Sequence, residues 1–379
     1  MSKDGYHSGI KSFRHLAKCL NGWLVKRPKE LSYLLKHKDL YRLPSYYPEE
    51  QGTHKSSSRI FWEQVRTILK YGKPNKYYFS YGLDVKTQKE QDEYLQFEQF
   101  FLRICNLNHS PRFNCCCILR DKMLFNIFAN GIGIKTPQNI LYSTNGQLYD
   151  YASRKEVKSD RLLQLGVQHL FCKVIDGECG RGVFRIDIVE GEIIVNGKES
   201  TPEEAYSLLT NGRYLAQGVV TQHPQMSALH PESINTLRII TVRSMKDCKI
   251  RVWPSIMRIG TGASIVDNTS QGGLCVGINY ETAHLKQWGF YKPQFGRKTE
   301  RHPDSGIVFI DFEIPYLQEA LNQAIYFHSM LPGIQSIGWD IAIGENGPIF
   351  IEGNDNWEIN GPQICNGGLK EMFLDQMYK

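Results

Sequence analysis

The chain has 379 residues, 41% of them apolar, and a formal net charge of +6. That length suits two or three subdomains with substantial cores, and the lack of any run of about 18 apolar residues excludes a membrane-spanning helix. The ten cysteines include Cys115, Cys116 and Cys117 in succession and form no C-x-x-C pair, so buried free thiols are expected rather than zinc or disulfides. The start Met1-Ser2-Lys3 lacks a signal-peptide core, which makes the expected location cytoplasmic.

Charge is uneven. Residues 1–80 carry 16 Lys or Arg against 6 Asp or Glu, a net +10, so the remainder of the chain nets −4. Within that basic part Ile10, Phe13, Ala17, Leu20 and Leu24 fall at helical spacing among Lys11, Arg14, Lys18 and Lys26. This is the pattern of an interfacial helix drawn to anionic lipid, and equally of a surface helix packed on the core or facing an acidic ligand. No nucleic-acid-binding motif accompanies the charge, so no nucleic-acid partner is expected. Pro48 to Ser58, rich in Glu, Gly, Lys and Ser, reads as a linker.

Further on, Asp121-Lys122 opens an amphipathic helix that stops at Gly131 and restarts as a strand after Pro137. Phe171 to Ile188 reads as strand, glycine-rich turn, strand. Lys173 alternates out of its apolar run toward Gly177, Gly180 and Gly182. Glycines let backbone N–H groups close on phosphate oxygens and a lysine adds a point charge, although a plain hairpin has the same signature. The segment is neither a P-loop nor a dinucleotide fingerprint, lacking the GK[ST] ending and the G-x-G-x-x-G order. The catalytic-loop and D-F-G patterns of a protein kinase are also missing.

Near the C-terminus, Trp339 to Ile343 and Pro348 to Glu352 are apolar runs joined through Asn346-Gly347, a strong hairpin signal. Side chains alternate along each strand, so Glu352 and Asn354 point the same way and Asp340 can lie opposite them. Two carboxylates and a carboxamide then converge on what is expected to be a solvent-facing site. Such a set suits Mg²⁺, which takes hard oxygen ligands and completes its shell with water and phosphate. A polar hairpin rim is the alternative.

Taken together, these motifs and the intervening Tyr214-Leu-Ala-Gln217-Gly-Val219-Val220 resemble the ATP-grasp superfamily, the Asp340/Glu352/Asn354 spacing being similar to that of its D-alanine:D-alanine ligases. Three further stretches are similar to the sugar-transfer-associated ATP-grasp family of cell-surface polysaccharide biosynthesis. They are Pro231 to Thr241, Val266 to Gly273 and His302 to Gly306.

The resemblance implies an α+β ATP-grasp fold: a basic helical region at 1–110, a small α/β part at 111–160, and two lobes clamping ATP at 161–222 and 223–379. Lys122 and Lys173 would hold the α and β phosphates, with Gly180 and Gly182 in a loop over the γ-phosphate. Arg238 and Arg181 would act on the transferring phosphoryl group, though each also reads as an ordinary exposed arginine. Gln217, Val219 and Val220 would face the adenine, mainly through the main chain of Gly218 to Val220, and Glu232 is a candidate for the ribose. Asp340, Glu352 and Asn354 would bind Mg²⁺, two ions being expected. Asn268, Gly272 and Gly273 would form the substrate edge, with His302 assisting proton removal or merely solvated.

The implied reaction joins a carboxylate and an amine through an acyl phosphate, the substrates being an amino acid and a uronic acid or sugar nucleotide. Two alternatives remain: a kinase acting on a sugar or polyol hydroxyl, and a nucleotide-bound component of a polysaccharide assembly complex without catalysis.

Overall fold

The computed structural model describes residues 25–49, 54–108, 115–177, 182–262, 272–292 and 294–378, without the side chains at 98, 99, 102 and 106. Asp121 caps the helix Lys122–Gly131, its Oδ1 accepting from the N–H groups of Met123 and Leu124 at 2.9 and 3.0 Å. A cap of this kind satisfies helix-end donors that would otherwise be left bare. The chain leaves through Gly133, whose φ of +80° suits glycine, and becomes extended beyond Pro137.

It then builds a first antiparallel sheet from β1 (Asn139–Thr144), β2 (Gln147–Asp150), β3 (Glu156–Val157), β4 (Gln168–Val174), β5 (Phe184–Val189), β6 (Glu192–Val195), β7 (Lys198–Ser200) and β8 (Tyr214–Gly218). Their order is β3-β2-β1-β8-β4-β5-β6-β7. Burial alternates along β4 and β5. One face sends Leu170, Cys172, Ile186 and Ala216 against Ala205 and Leu209 of the helix Pro202–Thr210. The other carries Phe171, Lys173 and Gln217 into a cleft. The division expected at residue 160 falls inside this sheet, because β8 hydrogen-bonds to both β1 and β4.

The second sheet comprises β9 (Thr236–Arg243), β10 (Ile250–Ile259), β11 (Leu274–Asn279), β12 (His284–Phe290), β13 (Lys298–Thr299), β14 (Ser336–Gly344) and β15 (Gly347–Asn354). Their order is β13-β12-β11-β10-β9-β14-β15. Every residue of β14 is buried, since both faces of this sheet are covered. Leu237, Ile239, Trp339 and Ile341 pack with Ala320, Ala324 and Phe327 of the helix Leu317–Ser329. Fully buried side chains of this size stabilise by about 1.5–3 kcal/mol each.

On the opposite face, Ile240, Val242 and Trp253 meet Phe100 and Ile104 of the helix Phe97–Asn108, while Ile256, Cys275 and Phe290 meet Tyr46, Ile60, Tyr78 and Tyr81. Tyr81 Oη donates to Asn360 Oδ1 at 2.8 Å and accepts from Gln363 Nε2 at 3.1 Å. The N-terminal part, expected as a region to itself, therefore shares the second sheet's core. Its buried side chains are mostly apolar, while Leu35, Trp62 and Leu69 stay exposed.

The segment expected as an interfacial helix lies outside the described residues up to residue 24. The expected linker is partly described. Lys55 there bonds the Leu83 carbonyl at 2.8 Å, and Ser56 caps the helix Ser57–Tyr71 by accepting from Arg59 N–H at 3.3 Å. No described helix is long and apolar enough to cross a membrane. None of the cysteines among the described residues forms a disulfide, and Cys117 and Cys248 are exposed where buried thiols were expected.

Candidate active site

The cleft between the two sheets encloses about 840 Å³. Its floor comes from strand pairing in the second sheet. Arg238 on β9 lies directly across from Asp340 on β14, which lies directly across from Glu352 on β15. Three side chains thus form one row across three strands, with Asn354 on the same face two residues on. Beyond Asp340 the register slips, Ile341 pairing with Phe350, so Ile351 is bulged and itself lines the cleft. Bulges re-aim neighbouring side chains, and this one sits beside the carboxylates. In the hairpin turn the positive φ, +104°, falls on Gly347.

Asp340 is 1% exposed, so the expected solvent-facing site is in fact buried at this residue. Arg238 grips it in a fork, Nε to Oδ1 at 2.5 Å and Nη2 to Oδ2 at 2.9 Å, and Arg258 Nη2 approaches Oδ2 at 3.1 Å. Burial works against the Asp340 charge, but the two arginines outweigh it and hold this carboxyl below the usual carboxylate range. Glu352 is pushed the other way, by burial first and by the neighbouring Asp340 charge second, while Lys122 and Lys173 oppose the shift. Asp340 is therefore the charged member of the pair and Glu352 the one that holds a proton more readily. Both lysines act on Glu352 across the cleft.

Asn354 Nδ2 lies 3.4 Å from Asp340 Oδ2 and 3.3 Å from Glu352 Oε1, with its amide hydrogens directed at both carboxylates. Two carboxyl groups bridged by an amide form a site that a hard cation fits. A turn of the amide would add its oxygen to an all-oxygen set. Among the described residues no group of three or more His, Cys, Asp or Glu is placed to hold a metal, so the set consists of two carboxylates and an amide.

Opposite, Phe171 on β4 pairs with both Arg185 on β5 and Gln217 on β8, and all three line the cleft. Lys122, the first residue of its helix, donates to the Gly177 carbonyl at 2.6 Å. Lys173 stands over the Phe171 ring, 5.2 Å from its centroid. Gln217 is buried and donates through Nε2 to Asn139 Oδ1 at 2.9 Å. The main chain expected to face adenine is partly engaged within the sheet. Gly218 N–H bonds Gln138 O at 2.8 Å and Val219 N–H bonds His169 O at 2.9 Å. Glu232 lines the same wall.

Gly180 and Arg181 of the loop, and Asn268 of the substrate edge, lie outside the described residues. Gly182 has a φ of +69°, and a Cβ there would stand 2.8 Å from Val174 Cγ2, so glycine at this turn is required sterically. Gly272, with φ +101°, and Gly273 follow the Asn268 segment and do not line the cleft. His302 is not in the cleft either. It is fully buried, its Nε2 lies 2.8 Å from Gly260 O, and its Nδ1 accepts from the N–H groups of Asp304 and Ser305, each at 3.3 Å. Burial lowers its pKa, and with both ring nitrogens engaged it has no lone pair left for a substrate proton. Its part is to brace the strand end Gly260 to Gly262, where Asp304 Oδ2 accepts from Gly262 N–H at 2.7 Å.

Sequence reasoning missed Arg258, whose signal was a lone charge in the apolar run Ser255 to Ile259. It also missed Arg120, bonded to both oxygens of buried Asp355 at 3.0 and 2.8 Å beside Lys122. The aromatic part of the cleft lining was missed as well: Tyr77, Phe97, Phe101, Phe290 and Tyr291.

Several solved structures are similar. N5-carboxyaminoimidazole ribonucleotide synthetase from Thermotoga maritima matches at 12% identity and a TM-score of 0.34, covering 63% of this chain and 42% of that one. N5-carboxyaminoimidazole synthetase from Staphylococcus aureus, complexed with ADP, matches at 11% and 0.37, covering 69% and 52%. The ATP-grasp ligase PsnB, complexed with minimal precursor, matches at 12% and 0.38, covering 72% and 68%. The matched part thus spans about half the length of the first two proteins. No curated protein sequence matches. The family model for sugar-transfer associated ATP-grasp proteins matches residues 106–376, and the chain belongs to that family.

Proposed function

We propose that the protein is an ATP-dependent carboxylate–amine ligase that joins an amino acid to a uronic acid, free or as a sugar nucleotide, in cell-surface polysaccharide synthesis in the cytoplasm. The observation that carries this reading is the row Arg238–Asp340–Glu352 with Asn354, set across the cleft from Lys122 and Lys173.

In this reading ATP lies between the sheets with its base near Gln217 to Val220 and its phosphates toward Lys122 and Lys173. Asp340, Glu352 and Asn354 would hold Mg²⁺, in two ions, whose chemistry when bound is to offset phosphate charge. The substrate carboxylate oxygen bonds to the γ-phosphorus, the bond from that phosphorus to the bridging oxygen breaks, and ADP leaves. The amine nitrogen then bonds to the acyl carbon, phosphate departs with the C–O electron pair, and the nitrogen gives its proton to solvent. Phosphoryl transfer needs position and charge more than covalent help, and lysines paired with arginines are suited to supply both. Arg238 acts mainly through Asp340, because its fork is engaged there. Tyr77, Phe97 and Phe101 offer flat apolar faces on which a sugar ring could rest.

The test is incubation with ATP, Mg²⁺ and pools of amino acids and uronates, with hydroxylamine replacing the amine in a second arm. A ligase releases ADP only with a carboxylate present and yields a hydroxamate. Stable transfer of labelled phosphate to a hydroxyl would replace the ligase with a kinase. Nucleotide binding without any ADP formation would point to the non-catalytic role.

A further inference from the structure

We propose that the exposed face of the helix Ser57–Tyr71 is a docking surface for an anionic membrane, with Trp62 as its anchor. The helix buries Ile60, Gln64 and Ile68 against the core. At about 100° per residue, Arg59, Trp62, Arg66, Leu69 and Lys70 then fall on one outward arc, and Lys73 continues it past the Gly72 cap. Trp62 is 68% exposed and Leu69 is 41% exposed. Trp253, Trp339 and Trp357 are by contrast fully buried.

Charge identifies the occupant. Residues 1–80 net +10 in a chain that nets +6, and four cations flank Trp62 and Leu69 on this arc. Arg59 is bonded to Glu63 at 3.3 Å, on the flank of the arc. A convex helix face with an indole and an aliphatic side chain framed by cations fits a flat anionic bilayer surface. Indole rings settle at the headgroup level while Lys and Arg meet the lipid phosphates. An acidic protein partner would share the charge but would be expected to meet a groove rather than a convex ridge. The surface lies apart from the nucleotide cleft and is independent of the reaction proposed above.

The experiment uses the full chain and co-sedimentation with vesicles of phosphatidylcholine containing roughly one-third phosphatidylglycerol, with pure phosphatidylcholine vesicles and soluble poly-glutamate as parallel arms. Binding is expected to the anionic vesicles alone and to fall as salt rises. Each basic residue near such a surface changes affinity about fivefold, so Arg66→Glu with Lys70→Glu should weaken vesicle binding by well over tenfold. Trp62→Ser should weaken it about fivefold or more, with ATP affinity and melting temperature unchanged because these side chains are on the surface. Vesicle binding equal to wild type in both variants would overturn the proposal, because the attraction would then come from elsewhere in the chain. Retention by poly-glutamate with the same dependence on Trp62, and none by vesicles, would overturn it in favour of an acidic protein partner.

Discussion

The two sheets that face each other across the cleft are both antiparallel, yet they carry their charged residues in opposite ways. In the second, Asp340 sits on a strand covered on both faces and is neutralised by Arg238 and Arg258 before any ligand arrives. In the first, Lys173 stands on an alternating strand whose cleft face is only half-buried. Removing a buried charge leaves its partners stranded in a poor solvent, whereas removing a solvated one costs the fold little. One lobe therefore couples chemistry to stability and the other keeps them apart.

The largest effect is expected of Asp340→Ala. It should abolish ADP formation and also destabilise the fold by about 3 kcal/mol, because two largely buried arginines lose their counter-ion. Denaturant unfolding equal to wild type would refute the coupling.

Second comes pH. Directly behind the carboxylate row, Trp339 Nε1 donates to Thr241 Oγ1 at 2.8 Å, Thr241 donates to His328 Nδ1 at 2.8 Å, and His328 Nε2 donates to Ile334 O at 3.0 Å. Burial, with Arg243 adding to it, pushes His328 down to about 3 from 6.5. Below pH 6.5 the unfolded chain takes a proton that the folded imidazole refuses. The stability present above that pH is thus lost as pH falls toward 3, at about 1.4 kcal/mol per unit and roughly 2 kcal/mol by pH 5. His328→Gln should flatten that slope. An unchanged slope in urea titrations at several pH values would show that another group carries it.

Smaller effects belong to the first lobe. Lys173→Met should weaken ATP binding about tenfold, some 1.4 kcal/mol, with no change in melting temperature. Equal nucleotide affinity by calorimetry would remove Lys173 from the phosphate site. Thr201→Ala breaks the capping box that Thr201 and Glu204 form on the helix Pro202–Thr210. It should cost about 1 kcal/mol. Amide exchange should quicken in β4 to β8 and stay slow in β14; faster exchange in both sheets would mean that the lobes unfold as one.

Much of this molecule is legible from short stretches of chain, for local reasons. The Asp121 cap, the Gly131 stop and the Pro137 restart are signals read within a few residues. The strand, glycine turn and strand from Phe171, and the hairpin ending at Asn354, follow from alternation and turn chemistry. Asp340, Glu352 and Asn354 were legible as one face because a strand's period is two. Partners far apart in the chain are fixed instead by folding. Arg258 reaches Asp340 because β10 and β14 flank β9 on opposite sides, a strand order with no trace in local pattern. The bulge at Ile351 changes a register that spacing alone cannot reveal. His302 has the residue type of a proton acceptor, yet burial against Gly260 and two N–H donors make it a brace. The N-terminal helices read as a separate basic region because composition reports the charges that face outward. It does not report which apolar side chains find a sheet to cover.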